Sequence, residues 1–221
     1  MHLQGLHEDA VDEVKRIYME HRDEVLSRSE RFREIWAGGS EEDIFLELVF
    51  CLLTPQSRAR ACWAAVEGLR NSGMLWNGGA EDISSELCSV RFRHTKARRI
   101  VAARERFTKD GRLCMRGQIS RHPNAYEARE WLVRSVDGLG YKEASHFLRN
   151  IGLGEDLAIL DRHVLGRLRA LGVIDEIPHS LHRRKYMEIE ARMKMLAERI
   201  NIEMGHLDLV LWCMKTREIF K

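Results

Sequence analysis

The chain has 221 residues, of which 44% are hydrophobic and 32% charged, and a net charge of +2. That balance excludes an intrinsically disordered or membrane-embedded protein and supplies ample material for one or two folded domains. It also excludes a uniformly basic surface, so any nucleic-acid face must come from local clustering.

The stretch from Met1 to Asp9 has no basic region followed by an apolar run, so no secretory signal is expected. The most apolar segment, Ile44 to Leu53, is about half a membrane span and contains Glu47. These features predict an intracellular, cytoplasmic protein with no membrane partner. Five cysteines, at positions 51, 62, 88, 114 and 213, form no CxxC pair and are odd in number, so neither a disulfide framework nor a metal site is expected.

Prolines occur only at 55, 123 and 178, and apolar spacings of three and four recur throughout, which predicts an all-α fold. A first helix is expected from Asp9 to about Leu26, and Gly38-Gly39 closes this section. Ser40, followed by Glu41, Glu42 and Asp43, opens the core helix that runs to Leu53. Thr54-Pro55-Gln56-Ser57 interrupts it, with Ser57 placed to cap a helix from Arg58 to Arg70. Asn77-Gly78-Gly79 forms a turn, and a short helix follows through Cys88.

Seven Lys or Arg residues lie between 91 and 106. They read equally as a solvated helix face or as a binding surface. Phe92 within this segment reads first as core, the usual fate of a lone aromatic. Gly111 to Pro123 reads as a loop, and Asn124 starts a helix packed through Ala128, Trp131 and Leu132. After Gly152-Leu153-Gly154, helices are expected from Asp161 to Gly172, from Leu181 to about Ile202 and from Leu207 to Phe220. No repeat or low-complexity tract interrupts this pattern.

The segment Val136-Asp137-Gly138-Leu139-Gly140-Tyr141-Lys142-Glu143-Ala144-Ser145-His146-Phe147-Leu148-Arg149-Asn150 reads as helix, tight hairpin, helix. Gly138 and Gly140 are free to take positive φ, and the amides opening the second helix suit an anion such as a nucleic-acid phosphate. On residue chemistry alone, Lys142 reads as a solvated lysine at a helix start. Asp161, in Ile159-Leu160-Asp161-Arg162-His163, reads as an N-cap.

These two motifs, nineteen residues apart, resemble those of the type 2 8-oxoguanine DNA glycosylase/AP lyases of the helix-hairpin-helix superfamily. The resemblance covers about Phe45 to Lys221. It implies two helical subdomains with a DNA-binding cleft between them. Residues 1–38 and 152–221 would form one discontinuous half, and 39–151, ending in the hairpin at about 126–151, the other. The branch of the superfamily that carries a four-cysteine iron-sulfur loop does not fit, since Cys213 is the sole cysteine after position 114.

The resemblance makes Lys142 the nucleophile and Asp161 its partner. A free lysine, with a pKa of ~10.4, is protonated at neutral pH, so partial burial or the positive end of a helix is expected to favour the neutral amine. A carboxylate at Asp161, kept ionised by its helix N-terminus, would stabilise positive charge on the sugar as the base departs. Trp212 matches an aromatic that stacks on the extruded base, and Phe92 falls beside the lesion pocket. Lys221 matches a terminal lysine that separates 8-oxoguanine from guanine, so even one added residue is expected to damage discrimination. Pro55 is a candidate carbonyl acceptor for the N7 hydrogen of the oxidised base, Gln56 a wedge into the emptied stack, and His163 a phosphate contact. The implied protein is a monomeric, cofactor-free repair enzyme acting on double-stranded DNA that contains 8-oxoguanine. Two other readings keep the hairpin: an enzyme for oxidised pyrimidines, and a non-catalytic DNA-binding module in which Lys142 only adds charge.

Overall fold

The computed structural model describes residues 5–221 and contains thirteen α-helices among them. The first four residues, which open the expected terminal half, lie outside the described residues. Helices α1 (Glu8–Glu20) and α2 (Arg22–Gly38) come first, then α3 (Glu41–Leu53), α4 (Ala59–Asn71), α5 (Met74–Asn77), α6 (Ala80–Glu86) and α7 (Arg93–Phe107). Strands β1 (Thr108–Lys109) and β2 (Arg112–Leu113) precede α8 (Met115–Ile119), α9 (Ala125–Ser135) and α10 (Tyr141–Asn150). The chain finishes with α11 (Arg162–Ala170), α12 (Arg183–Ile200) and α13 (Met204–Thr216). None of the described helices is long and apolar enough to cross a membrane.

Local chemistry sets several boundaries. Ser40 accepts from the Asp43 amide at 3.1 Å while the Asp43 carboxylate accepts from the Ser40 amide at 2.9 Å, a reciprocal cap that starts α3. Asn124 Oδ1 accepts from the Glu127 amide at 2.9 Å and starts α9. The single helix expected from Asp9 to Leu26 is instead two, broken at His21 with φ −109° and ψ 14°. The bend lets Val11 and Val14 of α1 and Val25 and Phe32 of α2 bury in the same core. The expected loop at 111–123 is shorter than read, because Asp110 and Gly111, with φ of 51° and 75°, close a two-residue hairpin between β1 and β2.

Two clusters of buried apolar side chains organise the molecule. One surrounds α3, which is buried on every face, and takes in α4 to α10. The other gathers α1, α2 and α11 to α13. Passage between them is tight at Gly152, with φ +77°: a Cβ there would lie 2.6 Å from the Arg33 Cα, so only glycine fits. A buried ion pair, Arg129 of α9 with Glu190 of α12 at 2.6 Å, ties the two cores together.

Candidate active site

The hairpin joining α9 to α10 builds one wall. Gly138 has φ +89°, a conformation that favours glycine, and a Cβ there would push aside the flexible end of the Arg99 side chain 2.5 Å away. Gly140 is extended at φ −88°, and its amide donates to the Glu143 carboxylate at 3.2 Å. Glu143 thus occupies one of the anion-binding amides that the sequence left open, and the first-turn amides of α10 remain. Lys142 is the second residue of α10. Its side chain is 21% exposed, with Nζ 3.4 Å from Thr54 Oγ1 and 3.9 Å from the Glu143 carboxylate.

Asp161 comes from the other core and is the N-cap of α11. Its Oδ1 accepts from the His163 and Val164 amides at 2.7 and 2.8 Å, which fixes the carboxylate's orientation. Lys142 and Asp161 line one cavity of about 920 Å³ between the two cores. No ion pair joins them among the described residues; the carboxylate paired with Lys142 is Glu143. Pro55, Gln56, His163, Trp212 and Lys221 line the same cavity. Phe92 does not: it is 57% exposed, at φ +59° in the N-cap position of α7, with the Arg91 guanidinium 5.4 Å from its ring centre. Its exposure corrects the expectation of a core aromatic, and its absence from the lining departs from the base-recognition role that the resemblance implied for it.

The cavity floor holds three polar residues that sequence reasoning missed. Asp208 of α13 is 3% exposed, and burial pushes its carboxyl up to about 6, with Arg149 opposing the rise and Asp161 adding to it. Arg149 Nη2 lies 3.5 Å from Asp208 Oδ2, while Arg149 Nε and Nη1 and Asp208 Oδ1 have no hydrogen-bond partner of ordinary geometry among the described residues. His146 is buried beside the Lys221 backbone; burial and the nearby cations Lys142, Arg149 and Lys221 hold it well below its ordinary pKa, in the neutral form. Neither ring nitrogen of His146 makes a hydrogen bond of ordinary geometry. A lone acid inside the apolar run Leu207 to Leu211 was the available signal for Asp208.

The last five residues leave the helical path expected to continue to Phe220. Arg217, at φ +61°, ends α13, and the chain turns back across the cleft. Glu218 pairs with Arg60, and Phe220 packs edge-on to Phe50, their centroids 6.4 Å apart. The Lys221 ammonium bonds to the buried Glu47 carboxylate and lies over the Trp63 ring, 3.4 Å from its centroid. Asn150 Nδ2 donates to the other Glu47 oxygen at 2.8 Å. Burial lowers the Lys221 pKa and Glu47 opposes the shift.

Ser57 does not cap α4 as expected. The N-cap there is Arg58, without a side-chain bond, and Ser57 Oγ instead accepts from Lys96 Nζ at 3.0 Å and from the Arg91 amide at 3.1 Å. The basic run of residues 91–106 is likewise divided. Lys96 is buried, Arg99 pairs with Asp137 at 3.4 Å, Arg104 donates to the Leu75 and Gly78 carbonyls at 2.9 Å, and Arg106 lies over Trp131. Arg91 alone of this run lines the cavity, whose rim also carries Arg58, Arg60 and Arg162. Among the described residues no cluster of His, Cys, Asp or Glu is arranged to hold a metal ion.

A family model described as 8-oxoguanine DNA glycosylase matches residues 25–202. An 8-oxoguanine DNA glycosylase/AP lyase of Fusobacterium nucleatum is 43% identical over 210 residues, covering 95% of this chain and 97% of the relative. One of Korarchaeum cryptofilum is 37% identical over 216 residues, covering 97% and 99%. Among solved structures, the Methanocaldococcus jannaschii 8-oxoguanine glycosylase/lyase in complex with a 15mer DNA containing 8-oxoguanine superposes with a TM-score of 0.86 at 33% identity, covering 96% of this chain and 99% of that one. The 8-oxoguanine DNA glycosylase of Thermotoga maritima gives 0.84 at 34% identity, each chain covered completely.

Proposed function

Because the chain belongs to the 8-oxoguanine DNA glycosylase family, we propose that it excises 8-oxoguanine from DNA and then cleaves the strand 3′ to the resulting abasic site. The observation that carries this reading is the meeting of Lys142 and Asp161, from different cores, in one cavity with an aromatic wall at Trp212. The two cores then serve as the two halves, 1–38 with 152–221 and 39–151, between which a duplex with one extruded nucleotide lies.

Attack of the neutral Lys142 amine on C1′ forms a C–N bond as the bond to N9 breaks, and the departing base takes the bonding electrons and a proton. Asp161, held by two backbone amides, stabilises the cationic sugar in that transition state. Opening of the sugar ring gives an imine on Lys142. Loss of the C2′ proton and of the 3′ phosphate follows, and water then releases the lysine. Extruding the base costs a few kcal/mol, which stacking on Trp212 offsets while Gln56 fills the gap left in the duplex.

Asp208, with one oxygen unpartnered, accepts a base N–H from the cavity floor. The Pro55 carbonyl has one lone pair engaged by Lys96 at 2.7 Å and one left for the N7 hydrogen that guanine lacks. Lys221 completes discrimination, and the rim cations, His163 and the hairpin amides around Gly138 and Gly140 hold the backbone. Borohydride is expected to trap a covalent complex with 8-oxoguanine DNA, and Lys142→Gln to abolish it. Trapping on thymine glycol in preference would reassign the base, and salt-sensitive binding with no trapping would reduce the protein to a DNA-binding module.

A further inference from the structure

Lys96 is the most deeply buried lysine described, at 2% exposure, and no carboxylate forms an ion pair with it among the described residues. Buried cations are ordinarily paired, because an uncompensated charge in a low-dielectric interior costs several kcal/mol. This one is surrounded by neutral acceptors from a single stretch of chain. Its Nζ donates to the Leu53 carbonyl at 2.7 Å, the Pro55 carbonyl at 2.7 Å and the Ser57 hydroxyl at 3.0 Å. All three ammonium hydrogens are therefore spent on residues 53–57. The nearby charges, Arg99 and Arg91, oppose the cation, and with burial they draw its pKa down.

Those residues form the turn between α3 and α4. Leu53 ends α3, where a cation meets free carbonyls and the negative end of the helix. Gln56 takes the left-handed φ of 57°, which glutamine seldom adopts, so the turn is strained and needs external support. Thr54 Oγ1, on the opposite side, accepts from Lys142 at 3.4 Å. The turn is thus held between two lysines, one facing the cavity and one behind it.

We propose that Lys96 is a positioning residue for base recognition: its three hydrogen bonds fix the α3–α4 turn so that the free lone pair of the Pro55 carbonyl and the Gln56 side chain face the cleft in register. This assignment rests on the function proposed above and adds to it a cause of selectivity that never touches DNA. A purely stabilising buried lysine, once replaced, would lower stability through the carbonyls left without a donor and leave the selectivity of base release untouched. A positioning lysine, once replaced, would change that selectivity as well.

The test compares wild type with Lys96→Met, which keeps the apolar stem, and Lys96→Arg, which keeps the charge. Hydrogen exchange at the Ser57 amide, which donates to the Thr54 carbonyl at 3.0 Å, reads the turn without any substrate. Single-turnover release of 8-oxoguanine and cleavage of a ready-made abasic site read the two halves of the reaction. Lys96→Met is expected to speed Ser57 exchange and to slow base release, each by about tenfold, the worth of roughly one lost hydrogen bond. Cleavage of the abasic site stays within about twofold, because no base is read there. Lys96→Arg restores part of both losses. Unchanged exchange, unchanged base release, or abasic-site cleavage that falls in step with base release each overturns the role of Lys96. A wild-type protein that leaves 8-oxoguanine in place overturns the function itself, and the exchange measurement still decides whether Lys96 holds the turn.

Discussion

Two buried arginine–carboxylate pairs lie among the described residues, and they are built in opposite ways. Arg129 and Glu190 form a two-pronged pair, with contacts of 2.6 and 2.8 Å, and Arg129 also donates to Ser145 Oγ at 3.0 Å. The Ala158 amide donates to Glu190 at 2.8 Å, and three tyrosine rings surround the guanidinium. Arg149 and Asp208 make one contact at 3.5 Å and leave Nε, Nη1 and Oδ1 without partners. The first pair is satisfied except at Arg129 Nε, which has no partner among the described residues, and it ties α9 to α12. The second stays open, and it is the one on the cavity floor. What sets the second pair apart is that its unmet hydrogen-bonding capacity lies on residues lining the cavity, where a ligand can supply the missing partners.

The comparison breaks most readily at Arg129. Arg129→Met strands the Glu190 carboxylate inside the protein, and the expected loss is about 3–5 kcal/mol of unfolding free energy, read from the denaturant midpoint. Arg149→Met is expected to cost clearly less, because Asp208, already raised to about 6, can neutralise itself by keeping its proton. Equal losses in the two variants would mean that both pairs are structural.

Asp208 sharpens the contrast through pH. Its folded-state pKa is raised from 3.8 to about 6, so the native state holds the proton more tightly, and this group's contribution to stability is lost as pH rises through that window. Its function runs the other way, because the charged acceptor for a base N–H exists only above about 6. The ratio of base release to abasic-site cleavage is expected to climb across pH 6 in wild type, whereas Asp208→Asn flattens it. Taking the ratio cancels contributions common to both steps, since Lys142 serves each.

The same contrast explains what the sequence made legible. Lys142 and Asp161 stand in short local motifs, and it was the family resemblance carried by those motifs, not residue chemistry alone, that paired them; both line one cavity. Arg149 and His146 carry no local signature, and Asp208 carries only that of a lone acid in an apolar run; each reads as an ordinary helical residue until burial strips it of water. Ser57 had the chemistry of a cap, but a lysine 39 positions further along took its hydroxyl, a competition no local pattern encodes. Asp110-Gly111 did carry a hairpin signal, and the loop expectation overlooked it. The broken first helix had no proline or glycine to announce it; the need to wrap one core from two directions set the bend at His21.

The basic run of residues 91–106 repeats the division between closed and open groups on a smaller scale, and it yields the smallest expected effects. Arg104 is closed, with two guanidinium nitrogens bound to the Leu75 and Gly78 carbonyls, so DNA gains nothing from it. Arg91 is open, with its guanidinium on the rim over the exposed Phe92 ring. Each phosphate neutralised by a protein cation contributes a slope of about −0.9 to the plot of log affinity against log salt. Arg91→Gln is therefore expected to flatten that slope by about one contact, with little change in melting temperature. Arg104→Gln leaves the slope unchanged and lowers stability by about 1–3 kcal/mol, because the two carbonyls lose their donor. A salt slope that responds to Arg104 and not to Arg91 would reverse the assignment of open and closed cations in residues 91–106, and with it the part of this run that meets the duplex.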